Sequence, residues 1–241
     1  MIPVMKTVLI TGTNRGLGFE FSKQYLEGGY KVLATCRNPN DAIDLQALKA
    51  NFKDRLEIHT LDVKDHKSIE NLSLLLRNYP IDILINNAGI IGPFPILEHI
   101  NKQRFGTFNY DVWEEVIRTN LFGPMKMTEA FINQIEAGEE KKIIFLSSTV
   151  GSIQEGDQPA YAYASSKTAL NKSISLTANI LKGKNIFLLA LCPGYVKTRM
   201  NAGGATLDPE ESIRGMMQQI ESLDASRSGE FIRYNGEKIQ W

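Results

Sequence analysis

The chain is predicted to be α/β, a single doubly wound domain with a mostly parallel central sheet of about seven strands and helices on both faces. Three observations predict it. Short apolar, partly β-branched runs alternate with segments whose apolar residues recur at helical spacing. The first strand, turn, helix and second strand fit within about 30 residues, the length of a crossover unit. No linker, repeat or low-complexity stretch interrupts the alternation, so residues 1–241 read as one domain. Repeated right-handed crossovers of this kind place strands parallel and cover both faces of the sheet.

The elements follow in order. Residues 8–10 are a short strand, and Leu17, Phe21, Tyr25 and Leu26 mark a helix over 17–27. Between them lies Thr11-Gly12-Thr13-Asn14-Arg15-Gly16-Leu17-Gly18, a turn with glycines spaced G-x-x-x-G-x-G. Such glycines permit positive φ and let phosphates approach free amides at a helix N-terminus, which suits a dinucleotide. Residues 31–35 form the second strand. The position just past it reads the adenosine ribose: a carboxylate there suits NAD, a cation suits the 2′-phosphate of NADP. Cys36-Arg37-Asn38 holds no carboxylate, and Arg15 is a second candidate cation, so NADP(H) is favoured over NAD(H).

Residues 41–50 read as a helix, 56–61 as a strand, 66–78 as a helix and 81–85 as a strand. Asp62-Val63 and Asn86-Asn87-Ala88-Gly89 follow two of these strands, at the carboxyl ends where open α/β sheets bind ligands. Residues 90–109, with Pro93 and Pro95, are expected to be irregular. Asp111 is expected to cap a long helix reaching residue 135, bent at Gly123-Pro124, with Asn120 at the disturbance. A strand over 142–146 ends in Ser147-Ser148-Thr149-Val150-Gly151, and a helix over 160–181 carries Tyr163 and Lys167. These two share a helix face at i and i+4, and an ammonium beside a phenol favours the phenolate, making a proton donor for a carbonyl oxygen. The strand over 186–191 ends in Cys192-Pro193-Gly194-Tyr195-Val196-Lys197-Thr198; a Gly-rich stretch over 199–207, a helix over 209–223 and a strand over 230–234 complete the chain.

Lys plus Arg and Asp plus Glu number 27 each, and 22% of residues are charged, so nothing points to nucleic acid or to a disordered acidic tail. Small, weakly charged partners fit better. Cys36 and Cys192 lack metal-ligand spacing and read as free thiols of a reducing compartment. The first residues have no signal-peptide pattern, and no apolar run approaches the roughly 20 residues of a membrane span, so a cytoplasmic protein is expected. His59, His66 and His99 have no spacing that suggests a metal or a triad.

Taken in order, Thr11-Gly12-x-x-x-Gly16-x-Gly18, Asp62-Val63, Asn86-Asn87-Ala88-Gly89, Asn120, Ser148, Tyr163-x-x-x-Lys167 and Pro193-Gly194 with Thr198 resemble the short-chain dehydrogenase/reductase family over essentially the whole chain. More narrowly, Thr35-Cys36-Arg37-Asn38-Pro39, Gly203-Gly204 with Pro209-Glu210-Glu211-Ser212, and Gly229-Glu230-Phe231 resemble its C-factor-like, sniffer-type carbonyl reductases. The resemblance implies a Rossmann-type domain and a catalytic set of Asn120, Ser148, Tyr163 and Lys167. Tyr163 would be the proton donor, Lys167 would lower its pKa and bond the nicotinamide ribose, Ser148 would bond the substrate oxygen, and Asn120 would hold a water reaching Lys167. Gly12, Gly16 and Gly18 would approach the pyrophosphate, Asp62 the adenine, Asn86 and Gly89 the adenosine side, and Thr198 the nicotinamide carboxamide or phosphate. Asn14, Arg15, Leu17, Arg37, Val63, Ala88, Pro193, Gly194 and Val196 complete the implied cofactor-binding set. Tyr161 has Ser165 rather than a lysine four residues on, so Tyr163 is selected.

The implied activity is NADPH-dependent reduction of an aldehyde or ketone, with a small-molecule carbonyl or alcohol as partner and no metal, nucleic acid or membrane. The alternative is a catalytically silent dinucleotide-binding signalling or sensor protein of C-factor type. The resemblance also implies a homodimer or homotetramer through the long helices near residues 111–137 and 160–182.

Overall fold

A computed structural model describes residues 5–93, 99, 103–156, 158–201 and 204–241. Most of the proline-rich part of the expected 90–109 irregular segment, including Pro95, and Gly203 lie outside the described residues. The chain runs β1 (Thr7–Thr11), α1 (Gly16–Glu27), β2 (Lys31–Cys36), α2 (Ile43–Phe52), β3 (Leu56–Thr60), α3 (His66–Leu75) and β4 (Ile83–Asn86). It continues through α4 (Tyr110–Ile117), α5 (Gly123–Ala130), α6 (Ile132–Glu136), β5 (Lys142–Leu146), α7 (Tyr161–Leu181), β6 (Phe187–Cys192), α8 (Pro209–Glu221) and β7 (Glu230–Arg233).

The seven strands form one sheet in the order β3-β2-β1-β4-β5-β6-β7. All six pairings are parallel, so the sheet is fully rather than mostly parallel. Val8 of β1 pairs with Val32 on one side and Ile83 on the other. Strand alternation sends Leu9, Leu84, Phe145 and Ala190 to the face covered by α3, α5 and α7, and Val8, Ile10, Ile83 and Ile144 to the face covered by α1, α2 and α8. The central strands β1, β4, β5 and β6 are therefore apolar on both sides, as a doubly covered parallel sheet requires, while the edge strand β3 carries Glu57 and His59. The order reverses between β1 and β4, and the crevice at their carboxyl ends is where this architecture binds ligands.

Two expectations about the long helix change. Asn109, not Asp111, is the N-cap: its side chain accepts from the amides of Asp111 (3.0 Å) and Val112 (3.2 Å), and Asp111 becomes an acid in the first turn. The helix is also divided rather than bent. Arg118–Phe122 form a π turn between α4 and α5. Pro124 has no N–H to offer the carbonyl of Asn120 four residues back, and the chain widens just before it. Gly123 serves a different need, since a Cβ there would stand 2.8 Å from the carbonyl oxygen of Val63.

At the opposite end of the sheet, the buried carboxylate of Asp82 accepts from the amides of Thr7 (2.7 Å), Glu139 (2.8 Å) and Glu140 (3.3 Å), tying the start of β1 to the approach to β5. Cys36 and Cys192 are both free and buried. No helix among the described residues is long and apolar enough to cross a membrane.

Candidate active site

A cavity of about 290 Å³ opens at the β1–β4 switch point. Gly12 (φ 72°) and Gly16 (φ 57°) take the left-handed backbone that turns the chain from β1 into α1. A Cβ on Gly18 would press into the Gly12 carbonyl oxygen, so α1 packs against its own loop only with glycine there. Two side chains stitch this loop to the end of β4. Asn87 donates to the carbonyls of Thr11 (2.8 Å) and Gly12 (3.1 Å), and the Thr11 hydroxyl accepts from the amides of Asn87 and Ala88, both at 3.0 Å.

Among the predicted cofactor residues, Gly12, Asn14, Arg15, Gly16, Leu17, Gly18, Arg37, Asp62, Val63, Ala88, Gly89, Tyr163, Lys167, Pro193 and Thr198 line the cavity. Asn86, Gly194 and Val196 are not on its wall. Asn86 is buried, and its side-chain oxygen and nitrogen find no partner among the described residues. Gly194 lies under Leu207 and Tyr234, where a Cβ would come within 2.9 Å of Leu207, and Val196 is buried in a bridge to Leu207. Asn87, beside Asn86, instead reaches the loop. Cys36, Leu61, Lys64, Ile90, Glu115, Thr119, Arg199 and Met200 also line the cavity without having been singled out. Cys36 and Leu61 lie at strand ends and were findable by that rule; Glu115 and Thr119 needed the packing of α4 and of the π turn after it.

At the inner end, Tyr163 and Lys167 stand on one face of α7, with Nζ 5.7 Å from the Tyr163 ring centre. Lys167 is 5% exposed and donates to the Leu146 carbonyl at 2.6 Å. Burial pushes its ammonium down to about 8. Burial likewise pushes the Tyr163 phenol up to about 12; the neighbouring Cys192 adds to the rise, and the Ser148 hydroxyl, as a hydrogen-bond donor, opposes it. Burial thus dominates the Tyr163 pKa, and Ser148 is the neighbour that favours the phenolate. Ser147 lines the cavity, but its hydroxyl is buried and donates to Asn171 at 2.6 Å; Ser148 is not on the cavity wall, and its hydroxyl meets Tyr163. Tyr161 is 42% exposed and packs on Phe108 instead.

Asn120 is wholly buried in the π turn. Its Oδ1 accepts from the Ile90 amide (2.9 Å), and its Nδ2 donates to the Ile90 carbonyl (2.8 Å) and to Ser166 (3.0 Å). It thus fixes the segment at Ile90, just after Gly89, against α7.

The first turn of α1 tests whether a dinucleotide fits. No side chain caps it, so the amides of Gly16, Leu17 and Gly18 lack a capping acceptor, and these residues line the cavity. A Cβ on Gly16 would meet only Thr198, at 3.9 Å. Free amides, an open approach and a positive helix end match a pyrophosphate. Arg15 and Arg37 are exposed on the same wall, and neither has an ion pair or side-chain hydrogen bond among the described residues.

A parallel sheet of this order, a glycine-lined switch point and a Ser–Tyr–Lys group define a dinucleotide-dependent dehydrogenase, and the chain belongs to the short chain dehydrogenase family, whose model matches residues 6–206. It is an NAD(P)-dependent oxidoreductase acting on small molecules. Among its relatives, C-signal of Myxococcus xanthus is 32% identical over 163 residues, covering 67% of this chain and 93% of its own. An NADPH-bound carbonyl reductase from chicken fatty liver is 31% identical with a TM-score of 0.87, the match covering 98% of this chain and 99% of that one. Carbonyl reductase Sniffer of D. melanogaster is 28% identical with a TM-score of 0.87, covering 98% and 100%.

Proposed function

We propose that the protein reduces an aldehyde or ketone to an alcohol with NADPH, and that Tyr163 delivers the proton. The observation that carries this is the buried Tyr163–Lys167 pair on the wall of a glycine-lined cavity, with the Ser148 hydroxyl hydrogen-bonded to Tyr163. When bound, the nicotinamide supplies the hydride. The chain's residues supply the rest. Ser148 holds the substrate oxygen and donates to it as negative charge grows there. Tyr163, kept protonated through the neutral range by its raised pKa, is the acid that gives that oxygen its proton. Lys167 then faces a new phenolate, which its ammonium stabilises. Gly16 to Gly18 hold the pyrophosphate, Asp62 the adenine, and Thr198 the nicotinamide side.

NADPH over NADH follows from Arg15 and Arg37, two exposed guanidinium groups on the adenosine wall with no carboxylate after β2. Leu176 and Ile180, 53% and 75% exposed on α7, support a homodimer or homotetramer through that helix, which light scattering would measure. The buried free thiols fit a cytoplasmic setting.

Purified protein is titrated with NADPH and then assayed for NADPH oxidation against aldehydes, ketones and quinones, alongside Tyr163→Phe. Turnover lost in the variant with NADPH binding kept is the expected result. An active Tyr163→Phe overturns the assignment, and cofactor binding without turnover on any carbonyl points to a silent sensor.

A further inference from the structure

Three successive hydroxyls leave β5, and each goes to a different place. Ser147 is held by Asn171, Ser148 faces Tyr163, and Thr149 turns to the far side of the sheet end. There Thr149 Oγ1 accepts from Arg233 Nη1 at 2.8 Å and lies 3.3 Å from Cys192 Sγ. With Arg233 as its donor, the Thr149 proton is available to the sulfur. Ser148 is in extended backbone and its hydroxyl does not cap the turn of Thr149–Gly151 that follows. Its direction is therefore set by the anchors on either side of it.

Arg233 ends β7 and spreads its guanidinium over the loop after Ser148. Besides Thr149 it donates from Nη2 to Glu155 at 2.6 Å, while Nε faces Glu237 of its own hairpin at 3.4 Å. Glu155 also accepts from the Gln240 amide at 2.8 Å, and Ser152 donates to the Gln240 carbonyl. The Arg233 and Glu155 side chains keep 30% and 28% of their surface, so their ion pair adds little stability. What a planar two-armed donor adds is fixed geometry. β7 lies beyond the 6–206 stretch that the family model matches.

We propose that Arg233 is a positioning residue of the reaction: from β7 it fixes Thr149 and the turn after it, and so aims Ser148 at Tyr163. The role rests on the assignment of Ser148 and Tyr163 proposed above. It makes the last strand and the C-terminal residues part of what sets the rate, although none of them lines the cavity.

The test compares Arg233→Leu, Arg233→Lys, Thr149→Val, Thr149→Ser and Glu237→Gln with the wild-type protein and Tyr163→Phe. Each is measured for kcat and KM on an aldehyde that the wild type reduces, for NADPH affinity by fluorescence, and for thermal midpoint. Arg233→Leu and Thr149→Val are expected to lose roughly 10- to 100-fold in kcat, the scale of a misplaced catalytic group, with NADPH affinity and KM within about twofold. Thr149→Ser should stay near wild type, Arg233→Lys should recover part of the loss, and Glu237→Gln should change nothing. If Arg233→Leu fails to fold, the Thr149 pair decides alone. Wild-type kcat in Thr149→Val, or equal losses in Thr149→Val and Thr149→Ser, overturns the proposal while an inactive Tyr163→Phe leaves the site assignment standing. Full activity in Tyr163→Phe instead removes that assignment, and the role of Arg233 with it.

Discussion

Replacing Lys167 with methionine should stabilise the folded protein while ending its turnover. The ammonium is 5% exposed, and burial lowers it from its ordinary 10.5 to about 8. Holding that charge costs the fold about 3 kcal/mol at pH 7. Methionine removes the charge and keeps most of the volume, but it abandons the bond to the Leu146 carbonyl, which returns about 1 kcal/mol. The net gain is about 2 kcal/mol, or roughly 4–8 °C in thermal midpoint for a domain of this size. The sign depends on pH. Below about 8 both folded and unfolded wild type hold the proton and the whole cost is present. Between about 8 and 10.5 the unfolded chain holds more protons than the folded one, so wild-type stability recovers as pH rises. Circular dichroism melts of both proteins at pH 7 and at pH 10.5 are the assay. A midpoint for Lys167→Met at or below wild type at pH 7, or an advantage that persists undiminished at pH 10.5, would refute the argument.

Three further outcomes are expected. Gly18→Ala forces a methyl group into the Gly12 carbonyl and to 2.5 Å from Asn87 Nδ2, and should weaken NADPH binding by roughly tenfold or more, read by calorimetric titration; unchanged affinity would show that the loop adapts. Arg37→Ala should lower kcat/KM for NADPH by about tenfold and leave NADH nearly untouched, the worth of one charge-assisted phosphate contact; equal losses with both cofactors would contradict the assignment. Asp82→Ala strands three amide donors at the base of the sheet and should cost about 3 kcal/mol, seen as a lower urea midpoint with unchanged NADPH affinity in the surviving folded protein.

Much of this was legible from residues alone because the signals are local. Strands showed as apolar runs, and each predicted strand is present to within two residues at either end. The glycine loop and the i, i+4 pairing of Tyr163 with Lys167 are also local patterns. What escaped depended on contacts between distant segments. Asn109 and Asp111 are both good caps two residues apart, and only the packing of α4 chooses between them. The π turn arises where Pro124 withholds a donor, yet its place is fixed by Asn120 gripping Ile90 across 30 residues of sequence. The enclosure that raises the Tyr163 pKa is likewise invisible along the chain, where only its spacing to Lys167 shows.

The strand order also has a consequence for biosynthesis. β1 emerges first and finds β2 within one crossover, but its other edge is completed only by β4, where Val8 waits for Ile83. Until then a nascent chain carrying β1 to β3 presents an apolar, hydrogen-bond-hungry edge to its surroundings, the surface that invites intermolecular strand pairing. Slow translation over residues 61–82 would prolong that window, and a chaperone that shields extended apolar segments would have its main task there.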